Sequence, residues 1–150
     1  MFLEADAFRT VVVGTPLVSI DLVVRNPQGE ILLGQRLNRP AQGSWFVPGG
    51  RIYKNEKLDA AFQRLTKVEL GQAFSRESAT LLGIFEHFYR DSVFGATPDT
   101  HYVVVAYELK LPPDCDLQPP SIQHDAYRWW PEPEMLASQD VHLHTKAYVA

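Results

Sequence analysis

The sequence predicts an α/β sandwich built on a mixed β-sheet. Three observations carry that expectation. Apolar segments of strand length lie before, between and after helical ones, and one tight turn joins two of them as a hairpin. The segment 57–70 repeats apolar side chains at three- and four-residue steps, the mark of a helix packed on one face. The 150 residues are 45% hydrophobic and 11% aromatic, which suits one folded domain spanning 1–150 with a full core rather than a disordered chain.

In chain order, residues 2–12 read as a helix, because Phe2, Leu3, Phe8 and Val11 or Val12 share a face; Thr15-Pro16 stops it. Residues 18–25 alternate only loosely, as a largely buried strand does. Asn26-Pro27-Gln28-Gly29 is a turn, and residues 30–36 return as the second strand of a hairpin. A polar loop over 37–44 ends in Trp45-Phe46-Val47, and Pro48-Gly49-Gly50 makes a tight backbone turn. In the helix 57–70, Leu58, Ala61, Leu65 and Val68 form the apolar stripe, Asn55 is the expected N-cap and Gly71 the residue that ends it. Residues 79–89 and 101–111 are two further strands around the loop 90–100. Residues 112–124 form a long proline-rich loop of the kind that often carries function. A short strand over 127–130, a helix near 132–137 and another from 141 onward complete the chain.

Composition removes several function classes. With a net charge of −4 and no long basic tract, non-specific nucleic-acid binding is excluded, so an anionic substrate must be met by individually placed arginines and a metal. A single cysteine, Cys115, cannot form an internal disulfide, which fits a reducing cytosol. No apolar run is long enough to span a bilayer, and the acids Glu4 and Asp6 do not fit a signal peptide, so the expected location is cytoplasmic.

The most informative segment is Gly49-Gly50-Arg51-Ile52-Tyr53-Lys54-Asn55-Glu56 with Arg64, Glu69 and Gly71 beyond it. A glycine turn leads into a helix with one acid before it, then an arginine and a second acid near its end. In this it resembles the Nudix hydrolases, whose signature places Gly50, Glu56, Arg64, Glu69 and Gly71 in register. The departures are Leu65, Thr66, Val68 and Gln72; of three motif acids near the helix end only Glu69 remains. Residues four apart share a helix face, so the natural partner of Glu69 for a second metal is Leu65, which cannot bind one. Further segments, Thr15-Pro16-Leu17-Val18-Ser19, Asn38-Arg39-Pro40-Ala41-Gln42-Gly43, Trp45-Phe46-Val47-Pro48, Thr100-His101-Tyr102-Val103-Val104 and Gln123-His124-Asp125, are similar to one subfamily, the GDP-mannose mannosyl hydrolases.

That resemblance implies a Nudix-type α/β/α sandwich, a homodimer, and hydrolysis of GDP-mannose, with GDP-glucose as a second substrate, to GDP and free hexose. It implies one Mg²⁺ per site, with Mn²⁺ as a substitute, held by the carbonyl of Gly49, the carboxylate of Glu69 and the side-chain amide oxygen of Gln123. It makes His124 the general base, and sets Asp21, Arg36, Arg51, His87 and Tyr102 on the nucleotide sugar with the arginines toward the diphosphate. Arg64 belongs near the metal region, either on phosphate or bracing Glu69 or Glu56.

The chemistry of displacement at carbon fits so sparse a set. A glycosidase uses two carboxyl groups because its alkoxide leaving group needs a proton. GDP leaves without one when a cation and arginines take up its developing charge, so one base for the incoming water suffices. Attack from the face opposite GDP inverts the anomeric centre. The competing expectations are a Nudix pyrophosphohydrolase attacking phosphorus and a non-catalytic nucleotide-sugar-binding module. Among the remaining residues, His101 is a partly buried strand histidine, and His142 with His144 read as helix surface. Glu56 braces the glycine turn, Trp129 and Trp130 belong to the core, and Phe2, Phe8 and Tyr89 are weak candidates for stacking on guanine.

Overall fold

The computed structural model describes residues 3–115, 117 and 124–149; of His124 and Asp125 only the backbone is described. The first helix, α1, is Ala5–Gly14, set later than the expected 2–12, and it ends where the extended Thr15 closes it onto the Val11 carbonyl. The strands are β1 (Leu17–Arg25), β2 (Ile31–Arg36), β3 (Trp45–Phe46), β4 (Gly49–Arg51), β5 (Thr80–Tyr89), β6 (Thr100–Lys110) and β7 (His124–Trp130). Helix α2 is Leu58–Leu70, α3 is Glu132–Ala137 and α4 is the single turn Leu143–Lys146.

One mixed sheet joins all the strands in the order β3-β2-β1-β6-β5, with β4 also on β1 and β7 also on β2. Among the described residues, β1 and β6 are the one parallel strand pair, Leu17 lying opposite Tyr102 and Arg25 opposite Lys110; the other strand pairs are antiparallel. Because successive strand residues point to opposite faces, β1 feeds two cores. Ile20, Leu22 and Val24 join Ala61, Phe62, Leu65 and Leu70 of α2 on one face, while Val23 meets Met135, Val141 and Tyr148 on the other. The result is the expected α/β/α sandwich. Among the described residues no helix is long and apolar enough to cross a membrane.

Three local expectations are corrected. Gly49 and Gly50 do not form a turn: they are strand residues, paired with Asp21 and Ile20. Their glycines are required by close approach. A Cβ on Gly49 would stand 2.4 Å from both the Asp21 carboxylate and the Ile20 carbonyl, and one on Gly50 would stand 2.5 Å from the Leu65 side chain. The N-cap of α2 is Lys57 rather than Asn55, which instead takes a left-handed φ of 67° in the turn before it; Gly71 does end the helix, at φ 82°. The buried face of α2 is also rotated from the expected stripe. Val68 and Leu58 are exposed, and the helix buries Ala61, Phe62, Leu65, Thr66, Glu69 and Leu70. Phe62, edge-on to Tyr107 at 5.2 Å, and Leu70 anchor that face, and Thr66 fits because its hydroxyl bonds the Phe62 carbonyl within the helix.

Candidate active site

The rotation of α2 turns one carboxylate inward. Glu69 is only 2% exposed and accepts a 3.3 Å hydrogen bond from the Gly49 N–H. Burial pushes its carboxyl up to about 7, with the nearby charge of Asp21 adding to the rise. Leu65, one turn earlier, is packed in the core against Gly50. The site therefore has a dry carboxylate against the glycine strand and an apolar wall where a second acid would be needed.

Arg64 sits behind this strand and does not line the cavity. Its Nε and Nη2 grip both oxygens of Glu56 at 2.7 and 2.9 Å, and Nη2 also donates to the Arg51 carbonyl at 2.8 Å. Glu56 in turn accepts the Tyr53 N–H at 3.0 Å, and the pairing holds its carboxyl below the usual range. Of the positions open to Arg64 in the sequence, the structure gives the brace on Glu56. Its guanidinium also stacks over the Tyr53 ring at 3.9 Å, and that ring lies 5.1 Å from Arg51.

Beside β4, a cavity of about 210 Å³ opens between strands β1, β2, β5 and β6. Asp21, Arg36, Gly49, Arg51, His87 and Tyr102 all line it, so five side chains and a backbone from five strands converge on it. Arg36 is oriented by a 2.9 Å bond from its Nε to the Pro40 carbonyl, and Arg51 lies 4.9 Å from the Phe8 ring. A second cavity of about 260 Å³ adjoins the first, sharing Arg36, Pro40 and Tyr102 and adding Phe8, Val12 and Val93. Phe8 thus borders the site; Phe2 lies outside the described residues.

Asp21 is buried, and desolvation drives its carboxyl up to about 7 even though Tyr148 donates a hydrogen bond to it and Arg36 favours its charge. His87 is held down to about 3, chiefly by burial and then by His144 and His142, so it is neutral at any ordinary pH. Here another expectation fails. His142 and His144 are not simply helix surface: the His144 ring lies flat on His87 at 4.2 Å and 4°, and His142 sits 5.5 Å from both Phe46 and Tyr89. His142 caps the start of the one-turn α4, its Nδ1 accepting the His144 N–H, and the turn folds back over the sheet. His101 faces away from this cluster, stacked on Phe88 at 4.4 Å.

Gln123 lies outside the described residues, as does the side chain of His124. The backbone of His124 opens β7 directly across from Arg36, just past a register shift between Gly34 and Arg36. The sequence reading missed Ser19 and Phe46 as cavity lining and Tyr148 as the partner of Asp21, while Tyr89, a weak candidate for stacking on guanine, does line the cavity. The strand residues were recoverable from alternation with their neighbours, whereas Tyr148 carries no local signal.

Comparison with known proteins follows the same lines. The NUDIX domain matches residues 15–149. The low-salt glycan biosynthesis protein Agl8 of Haloferax volcanii is 46% identical over 109 residues, 73% of this chain and 68% of that protein. The MutT NUDIX hydrolase of Burkholderia pseudomallei has a solved structure with a TM-score of 0.71 at 27% identity, covering 89% of this chain and 95% of that one. The MutT protein of Methanosarcina mazei Go1 gives a TM-score of 0.72 at 18% identity over 90% and 91%, a likeness of fold alone.

Proposed function

The chain belongs to the NUDIX domain family of hydrolases, and within it we propose a hydrolase of GDP-hexoses, GDP-mannose first and GDP-glucose next, that releases GDP and free hexose by attack of water at the anomeric carbon. The observation that carries this reading is the inner face of α2, which offers Glu69 to the glycine strand and spends the position one turn earlier on Leu65. A face with one acid suits one cation on a leaving group. It does not suit the several closely spaced ions used to activate water for attack at phosphorus.

NUDIX hydrolases use a divalent metal such as Mg²⁺, and the residues present fit one. Glu69 is a buried carboxylate whose charge burial disfavours, beside a backbone that admits no side chain. The Gly49 carbonyl, the Glu69 carboxylate and the Gln123 amide oxygen would hold it, all hard oxygen donors. When bound, such an ion neutralises charge on the diphosphate. Arg36 and Arg51 would meet the same phosphates, each already restrained, one by Pro40 and the other by the rings of Phe8 and Tyr53. Asp21, His87 and Tyr102 would contact the nucleotide sugar. His124 would take the proton of the attacking water, and its place opposite Arg36 puts its backbone beside the arginine that orients the leaving group. In-line displacement of an α-linked GDP gives the β-hexose.

The relative Agl8 is named for glycan biosynthesis, a setting in which activated sugars are the currency, and this favours a nucleotide sugar over other NUDIX substrates. The family reading also makes the protein a homodimer of a single-domain chain. The first test is product identity. Incubation with GDP-mannose and Mg²⁺ or Mn²⁺ is expected to give GDP and mannose, and none with EDTA. GMP and mannose 1-phosphate would establish the pyrophosphohydrolase, and tight binding without turnover would establish a binding module.

A further inference from the structure

Tyr148 belongs to no motif and lies far from the glycine strand in sequence, yet its hydroxyl reaches two residues that line the cavity. It is buried between β1 and β5, edge-on to Phe85 at 4.8 Å. The hydroxyl donates to the Asp21 carboxylate and lies 3.2 Å from Nε2 of His87. Both of these partners line the cavity, and Tyr148 does not. Its place is held from outside: Thr145, one turn earlier and buried, accepts the Val47 N–H at 3.3 Å.

We propose that Tyr148 is a positioning residue that fixes Asp21 and His87 as a pair of hydrogen-bond acceptors for hexose hydroxyls. A phenol has one proton, and here it is given to Asp21. The oxygen that faces His87 can then only accept, so Nε2 of His87 must carry the ring proton. His87 is neutral, being buried and stacked flat on His144, so its Nδ1 is left bare and accepting. The second Asp21 oxygen, Oδ1, lies against the backbone of Gly49 and is also an acceptor. Two acceptors held by one rigid phenol match a ligand rich in hydroxyl donors. A phosphate, itself an acceptor, gains nothing from this pair and is directed to Arg36 and Arg51. The division of the cavity into a hydroxyl-reading corner and a phosphate-reading edge thus originates in a residue that touches neither ligand.

This rests on the nucleotide-sugar reading, and two measurements separate its failure from that of the reading. The first needs no substrate: ¹⁵N-histidine NMR of the wild-type protein at pH 8, with His87 assigned by His87→Gln. The expected result is the Nε2–H tautomer of His87, lost or mixed with Nδ1–H in Tyr148→Phe; an Nδ1–H tautomer in the wild type, or no change in the variant, overturns the proposal. The second is kinetic. Tyr148→Phe is expected to raise KM for GDP-mannose about tenfold or more while inhibition by GDP stays within about twofold of wild type. Unchanged KM, or a parallel loss of GDP affinity, overturns it, since a general loosening of the fold would weaken both. If the wild type turns over no GDP-hexose, the functional reading falls and the tautomer alone decides the role of Tyr148.

Discussion

Replacing Glu69 by Gln should stabilise the metal-free protein at alkaline pH while abolishing turnover. Glu69 is 2% exposed, and burial raises its carboxyl from 4.5 to about 7. A raised acid means that the folded state holds its proton more tightly than the unfolded chain does. The carboxyl therefore costs nothing below about pH 4, and the cost grows as pH rises through the window from about 4.5 to 7 and is complete by pH 8. At about 1.4 kcal/mol per unit the ceiling is roughly 3 kcal/mol. Glutamine keeps the acceptor for the Gly49 N–H and removes the charge. In EDTA at pH 8, Glu69→Gln is expected to gain about 1–3 kcal/mol in urea denaturation, a rise of several degrees in Tm for a chain of this size. At pH 4.5 the gain should vanish. Saturating Mg²⁺ should stabilise the wild type at pH 8 and leave the variant unmoved. A variant less stable than wild type at pH 8 in EDTA, or a gain that does not change with pH, would refute the reasoning that this carboxylate is held charged for a cation.

Two further outcomes follow, one from the proposed function and one from the fold. His124→Gln should lower kcat by roughly two to four orders of magnitude, the span of a lost general base, with GDP inhibition little changed; stopped assays with GDP-mannose check it, and wild-type turnover would remove His124 from the mechanism. Gly49→Ala should be far more damaging than Gly50→Ala, because the added Cβ meets the Ile20 carbonyl and the Asp21 carboxylate in the first case and the flexible end of Leu65 in the second. Gly50→Ala should cost about 1–3 kcal/mol in denaturant and retain activity. Equal losses in the two variants would mean that close approach is not why these positions are glycine.

What could be read beforehand had local causes. Helix α2, strand β1 and the glycine end of α2 are written in periodicity and in one left-handed residue. The convergence of Asp21, Arg36, Arg51, His87 and Tyr102 on one cavity was reached through resemblance, and alternation on β1, β5 and β6 explains it. The buried face of α2 was misjudged because Val68 counted as apolar and Glu69 as polar, whereas the helix turns the acid inward and leaves the valine at 41% exposure. The two glycines looked like a turn because sequence does not show that another strand passes within touching distance. His142 and His144 were read as surface, and Tyr148 was not singled out, for a related reason: their contacts exist only once the last turn folds back over β1 and β5, a tertiary event without a pattern of its own.

The central claim concerns which bond breaks, and isotope labelling tests it directly. GDP-mannose hydrolysed in H₂¹⁸O with Mg²⁺ should place the label in free mannose, released first as the β-anomer, and leave GDP unlabelled. Label in a phosphate of GMP or of mannose 1-phosphate would show attack at phosphorus and would contradict the account.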